Sequence, residues 1–315
     1  MVTNEDNYIR FDWAMKRLLR NKANYVVLEG FLSSLLGKKF KIHRFLESES
    51  NQEDEDDKYN RVDILAESEN EQLCIIEVQN SREQTYFHRM LYGVSKAITE
   101  YIGLGKPYEA VRKVYSINIV YFELGQGKDY VYHGKTEFVG EHEPHDTLKL
   151  SIRQNEKFFG IKDDKLELRK SPGDLFPEYY ILRINDFDKV ATTPLDEWIE
   201  FLKTGSISSK ATAAGLPEAR ERLRVDSLSQ KDKQAYYRHL EAVRHMKSLF
   251  DTSRDEGYQD GLTEGRIEGR AEGRAEGEKE KAKEIALKLL ALNTPMDIIF
   301  QSTGLSIEEI KKLKS

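Results

Sequence analysis

Residues 61–79 read Arg61-Val-Asp63-Ile-Leu65-Ala-Glu67-Ser-Glu-Asn70-Glu-Gln-Leu73-Cys-Ile75-Ile-Glu77-Val-Gln79. Residues 62–67 and 73–79 are rich in β-branched and apolar side chains, with a polar turn at 68–71 between them, so the stretch is expected to fold as an antiparallel hairpin. A turn centred near residue 70 sets Leu65 opposite Ile75 and Asp63 opposite Glu77, with the paired side chains about 5 Å apart on one face. Two carboxylates at that distance repel, and a hard cation between them removes the cost. Mg²⁺ takes one or two protein carboxylates and completes its octahedron with water and phosphate oxygens. Gln79 shares the face of Glu77, while Val62, Ile64, Ala66, Cys74, Ile76 and Val78 form an apolar opposite face expected in the core. A slip of one residue would separate the acids. The rival reading is a hairpin whose end happens to carry acids.

The pattern Asp-x(13)-Glu-x-Gln, preceded by Arg61 and set in a hairpin, resembles the PD-(D/E)XK nuclease core in the variant used by the recombination-promoting nuclease and putative transposase family. Phe11-Asp-Trp-Ala-Met-Lys-Arg-Leu-Leu19, Leu28-Glu-Gly-Phe-Leu-Ser-Ser-Leu-Leu-Gly37, the helix with Arg89 and Tyr92, and Leu195-Asp-Glu-Trp-Ile-Glu-Phe-Leu202 extend the likeness over residues 8–205. The resemblance implies a restriction-endonuclease-like α/β fold, a mixed sheet flanked by helices, followed by a helical C-terminal extension. It also implies an Mg²⁺-dependent DNA endonuclease, with Mn²⁺ as a substitute, that promotes recombination or transposon-like mobility. Asp63 and Glu77 would hold the metal, with the backbone carbonyl of Val78 as a further ligand. Gln79 stands where many relatives in the superfamily carry lysine. An amide can orient water but cannot lend charge to a phosphate, so either activity is modest or another cation takes over, with Lys16, Arg61 and Arg89 as candidates; the family itself commonly carries glutamine here, so the departure is from the wider superfamily. Glu29, in the helix of residues 24–36, is placed either to complete the metal shell or as a solvent-facing glutamate. Asp12 has an active-site role or forms an i,i+4 pair with Lys16.

The remaining elements are expected as helices at 10–20, 24–36 and 82–103, and strands at 39–46, 114–124, 129–139, 148–153 and 179–185. The helix at 82–103 carries Phe87, Leu91, Val94, Ile98 and Ile102 as its core stripe. Its other face, Arg82, Tyr86, Arg89 and Lys96, suits a phosphodiester backbone or plain solvent. His142-Glu-Pro-His145 has a metal-like spacing, but Pro144 and its polar neighbours mark a loop with surface histidines.

A chain of 315 residues with 39% hydrophobic side chains can build a real core if these are concentrated in its first two thirds. No apolar run approaches the roughly 18 residues of a membrane span, and no signal peptide opens the chain, so a soluble, cytoplasmic protein with no membrane partner is expected. The single Cys74 is expected as a buried thiol. A formal charge of −6 argues against nucleic acid only on the surface. Residues 47–57 hold seven acids and no base, and without that run the chain carries +1. The run is read as a mobile loop, lacking the glycine and alternation of a calcium loop.

The organisation expected is a nuclease-like domain at 1–205, a helical segment at 206–256, a glycine repeat at 257–280 and a small helical unit at 281–315. Gly257, Gly261, Gly265, Gly269, Gly273 and Gly277 recur every fourth residue, and they cost a helix roughly 5 kcal/mol against alanine. Arg266, Arg270 and Arg274 and the stripe from Glu264 to Glu276 lace it with ion pairs. Either the stripe lets another helix approach, giving a homo-oligomer through the C-terminal helices, or it is a semi-flexible tether; DNA binding by its arginines is a weaker third. Thr294-Pro295 and Ser306-Ile-Glu-Glu309 signal helix starts in the tail, which resembles a small helix-turn-helix unit. A catalytically silent nucleic-acid-binding or assembly protein is the alternative to the DNA nuclease, and RNA is the alternative substrate.

Overall fold

The computed structural model describes residues 8–17, 19, 21–46, 63–102, 107–161 and 170–314. The acidic run 47–57 and Arg61 lie outside them, as does the side chain of Lys16. Backbone contacts divide the chain into residues 1–243 and residues 244–315.

The first unit is built on a sheet of six strands among the described residues: β1 (Ile42–Leu46), β2 (Ile64–Ser68), β3 (Leu73–Gln79), β4 (Val114–Val120), β5 (Val131–Gly134) and β6 (Glu178–Arg183), in the order β1-β2-β3-β4-β6-β5. The three pairs β1·β2, β2·β3 and β5·β6 are antiparallel, whereas β3·β4 and β4·β6 are parallel. This is the mixed sheet flanked by helices that the sequence implies. Every residue of β4 is buried, as expected for a central parallel strand covered on both faces. That burial explains one departure from expectation: β5 was to pair beside β4, but β6 takes that place and leaves the shorter, half-exposed β5 at the edge. The expected strand at 148–153 is absent. Ser151 and Gln154 close a capping box there and start α4 (Ile152–Phe159), a local signal stronger than the short alternation of Leu148 and Leu150.

One face of the sheet carries Ile64, Ala66, Cys74, Ile76, Val78, Ile117 and Ile119 into the main core, which includes residues of α1 (Phe11–Arg17), α2 (Tyr25–Leu36), α5 (Pro194–Thr204) and α6 (Leu216–Arg222). Phe11, Phe31, Trp198 and Phe201 meet edge to face in that layer, with ring centroids 5.5 to 6.3 Å apart. Each such buried ring contributes on the order of 2 kcal/mol. At Gly30 a Cβ would run into the carbonyl of Ala214, so the glycine lets α2 meet the backbone at 214–215. Ile207, Ala213, Leu216, Ala219, Leu223, Val225 and Tyr236 belong to the same core, which is why the compact unit runs past residue 205 to Val243.

The other face is covered by α3 (Tyr86–Ile102). Leu65, Leu73, Ile75 and Val114 pack against Val94 and Ala97, while Tyr86 and Met90 pack with Val120 and Leu124. The buried stripe of α3 is Tyr86, Met90, Gly93, Val94 and Ala97, and Phe87 and Leu91 are 50% and 59% exposed. The expected stripe of Phe87, Leu91, Val94, Ile98 and Ile102 is therefore rotated: Val94 is buried and Ile98 packs against the core, whereas Phe87 and Leu91 face outward. The small residues Gly93 and Ala97 let the helix lie close to the sheet, and Tyr86 turns inward because it has a polar partner there.

The long helix α7 (Gln230–Ala291) starts in the first unit and continues through the second. The glycine repeat lies within it, and a Cβ at each position from Gly257 to Gly277 would meet nothing within 4 Å. In the second unit α8 (Met296–Thr303) and α9 (Ile307–Lys314) join the end of α7 around Ala286, Ile299, Leu305 and Ile310. Two short helices form this tail after α7 among the described residues. Pro295 precedes the first helical residue, and Ser306 and Glu309 bond each other's backbone N–H as a capping box.

Candidate active site

The hairpin holds Leu65 opposite Ile75 and Ile64 opposite Ile76, where the ladder stops. Asp63, one residue before β2, continues it with its side chain: the Val78 N–H donates to Asp63 Oδ2 at 2.8 Å. Glu77 lies within β3 and is 6% exposed. Its Oε2 has no hydrogen-bond partner among the described residues. The Arg89 Nε stands 3.6 Å from that oxygen, beyond hydrogen-bonding range, and the same guanidinium is shared with Glu83 at 3.1 Å.

Burial pushes the Glu77 carboxyl up to about 7; the negative charges of Asp63 and Glu83 add to the rise, against Arg89 and the Tyr86 hydroxyl. An orphaned buried carboxylate oxygen beside a second carboxylate fits a hard divalent cation, and all-oxygen donors suit Mg²⁺ or Mn²⁺. Among the described residues no group of three or more His, Cys, Asp or Glu converges as a metal cage. Two carboxylates are the number Mg²⁺ commonly takes from protein.

A polar network that the sequence reading missed lies beside Glu77. Asn118 is its register partner in β4. The Tyr86 hydroxyl donates to Asn118 Oδ1 at 3.1 Å, and the Asn118 amide donates to Ser116 Oγ at 3.0 Å and to the Tyr180 carbonyl at 3.3 Å. Burial first, then the charge of Glu77, holds the Tyr86 phenol well above its ordinary range, so it remains a neutral donor. The available signal was Asn118 itself, an amide that with Ser116 interrupts a strand of Val, Tyr and Ile.

Gln79 ends β3, and its amide nitrogen donates to the carbonyl and hydroxyl of Ser81, both at 3.2 Å. Its own carbonyl accepts the Tyr121 N–H at 3.0 Å, which ties the end of β3 to the end of β4. Val78 points into the main core between the two polar residues. Glu29 is not brought to this place. Its carboxylate accepts from Lys41 Nζ and from the Ile42 N–H, and Ile42 pairs with Ser68 at the far end of β2 from Asp63. Five residues of strand at about 3.3 Å each separate the two ends, so Glu29 serves as a tie between α2 and β1. It is neither solvent-facing nor a metal ligand.

Of the candidate cations, Arg89 reaches Glu77. Asp12 is buried and bonds Arg10, Asn80 and His239. His142 and His145 are exposed in a loop, and Cys74 is fully buried, its thiol pushed far up by desolvation.

No curated protein and no solved structure matches the chain. A family model does, that of the PD-(D/E)XK nuclease family transposases, over residues 9–158. That stretch holds α1, α2, the hairpin with Asp63 and Glu77, α3 and the central strand β4. Over residues 9–158 the chain thus matches the PD-(D/E)XK nuclease family transposases.

Proposed function

We propose that the chain is a metal-dependent endodeoxyribonuclease, acting by phosphodiester hydrolysis in recombination or transposon-like mobility. The observation that carries this reading is the buried Glu77 Oε2, which lacks a hydrogen-bond partner among the described residues, has the Arg89 Nε at 3.6 Å and lies in the field of the Asp63 charge at the hairpin end. Asp63, Glu77 and the carbonyl of Val78 would hold Mg²⁺ or, in its place, Mn²⁺. A divalent ion there supplies positive charge to the scissile phosphate and lowers the pKa of a water. Arg89, already beside Glu77, supplies the fixed cation that Gln79 lacks, and balances Glu83 when the substrate is absent. Gln79 keeps Oε1 as an acceptor while Ser81 holds its amide nitrogen, so it orients a water by accepting a hydrogen bond. Tyr86 and Asn118 fix the floor beneath Glu77.

DNA is the substrate class the family implies, and competition with RNA of equal length tests that choice. No helix among the described residues is long and apolar enough to cross a membrane; we assign the chain to the cytoplasm. The open glycine stripe of α7 is unexplained by packing within the chain, and we assign it to contact between copies. The second reading is a nucleic-acid-binding protein that keeps the fold without chemistry. One observation favours it: the Gln79 amide is engaged by Ser81 where superfamily relatives place a charged lysine. Plasmid nicking across an Mg²⁺ titration separates the two. Cleavage by the wild type that disappears in Asp63→Ala and Glu77→Ala supports the nuclease, and cleavage untouched by either substitution removes the site.

A further inference from the structure

A second buried polar cluster stands on the opposite side of the β3 end from Glu77. Its centre is Asp12, 2% exposed, whose carboxylate accepts four hydrogen bonds. The Trp13 N–H and Arg10 Nε reach Oδ1 at 2.9 and 3.2 Å, and the Asn80 amide and His239 Nε2 reach Oδ2, both at 3.1 Å. Arg10 closes the ring by donating to Asn80 Oδ1 at 3.2 Å, so both ends of the Asn80 amide are used. Asn80 immediately follows Gln79, the last residue of β3. His239 comes from the early turns of α7, outside the stretch that matches the family model. Tyr236, one turn earlier, accepts the Arg10 N–H at 3.1 Å and donates to the Tyr8 carbonyl at 3.3 Å, which fixes α7 against the segment that leads into α1.

A buried carboxylate with four donors is expensive to build and costs several kcal/mol when one partner is lost. None of its donors comes from the Asp63 and Glu77 pair. Its attachment to the sheet is the side chain of Asn80, three residues after Glu77 and one after Gln79. The β4 ladder pairs Glu77, Val78 and Gln79 with Asn118, Ile119 and Val120, and the Asn80 side chain extends that hold one residue past the strand, where the chain leaves the sheet.

We propose that Asp12 and His239 are positioning residues for the candidate site, holding the C-terminal end of β3, with Gln79 and the Val78 carbonyl, through the side chain of Asn80. This rests on the nuclease reading for its effect on turnover, but the mechanical part stands by itself. The first turns of α7 are then a working part of the nuclease domain. His239 is suited to a test because its ring is a quarter exposed, and its replacement opens no deep cavity.

The experiment uses the full chain with His239→Leu, His239→Gln and Asp12→Asn. Glutamine can present an amide N–H near the place of Nε2, whereas leucine cannot donate. Three quantities are read: kcat and KM for plasmid nicking, Mn²⁺ affinity by calorimetry, and amide hydrogen exchange of residues 77–80. The expected result for His239→Leu is a kcat lowered about tenfold with KM within about twofold, weaker Mn²⁺ binding, and faster exchange confined to 77–80 and Tyr121. His239→Gln is expected to recover most of each. Wild-type exchange at 77–80 with wild-type kcat in His239→Leu overturns the proposal, and so does faster exchange spread over the whole domain. If the wild type cleaves no DNA, the nuclease reading fails by itself. Exchange and Mn²⁺ affinity still decide: local loosening in leucine but not glutamine supports the positioning role, and its absence rejects it.

Discussion

The Val78 N–H donates to Asp63 Oδ2 across 2.8 Å, so one of the two acids at the candidate site is also the last rung of the β2–β3 ladder. A residue with two such roles can be dissected by substitutions that remove them one at a time.

Asp63→Asn keeps an oxygen for the Val78 N–H and loses the charge, whereas Asp63→Ala loses both. Urea denaturation is expected to find the asparagine variant within about 0.5 kcal/mol of wild type and the alanine variant about 1–2 kcal/mol weaker, the cost of a buried N–H left unpaired. Nicking should fall at least about 100-fold in both. An asparagine variant that cleaves normally would falsify metal binding through this carboxylate.

Glu77 presents an orphaned oxygen to two other acids, and that arrangement works against the metal-free fold at about pH 8, above the raised pKa of the group. Glu77→Gln should therefore unfold in EDTA a few degrees above wild type, a gain on the order of 1–3 kcal/mol. Addition of Mn²⁺ should raise the wild-type midpoint and leave the variant unmoved. Thermal melts of both proteins in both buffers check this, and equal Mn²⁺ shifts in the two would count against the site.

Asp12 supplies a pH signature. Burial alone would raise its pKa, but the His239 hydrogen bond and the charges of Arg10 and His239 outweigh that and hold the carboxyl below its ordinary 3.8. Tyr121 and Tyr236 complete its surroundings and stay neutral, since burial raises both phenols. A carboxyl with a depressed folded pKa adds stability that is fully present above its unfolded value and is lost as the pH falls through the folded one. The stability difference between wild type and Asp12→Asn should be about 3 kcal/mol near pH 6 and shrink steadily below about pH 4. Urea midpoints from about pH 6 to about pH 3 measure it, and a constant difference would show that the charge is not what matters.

Two glycines predict opposite outcomes. Gly30→Ala drives a methyl into the Ala214 carbonyl, so a loss of about 3 kcal/mol or more is expected. Gly269→Ala adds a methyl to open space on a helix and should raise helix stability by about 1 kcal/mol. Circular dichroism melts read both. If the stripe is a contact between copies, light scattering should also find Gly269→Ala less associated than wild type.

The hairpin was legible because its alternation and turn left a single register that buried the apolar face, and Leu65 opposite Ile75 followed from counting. Helix α5 was read only as a stretch of the resemblance, residues 195–202, although its Trp198, Ile199, Phe201 and Leu202 form one buried stripe. The orientation of α3 was not, because helical periodicity ranks side chains by apolarity and Tyr86 is buried for its hydroxyl. Asn118, Ser116 and the Asp12 cluster were hidden for a related reason. Tyr86 and Asn118 lie 32 positions apart, and Asp12 and His239 lie 227 apart, and no local pattern records such distances. Glu29 misled because its helix was placed correctly but its partner, Lys41, lay at the other end of the neighbouring strand.

The pleat of β3 also limits how the gene can change. Because Glu77 and Gln79 face one layer and Val78 and Asn80 the other, adding or deleting a single codon inside this span would send the acid into hydrocarbon and the valine toward the candidate site. Within residues 64–80, insertions are therefore expected to be tolerated at the turn of residues 69–71 and not between 77 and 80, where the four positions act as one indivisible word.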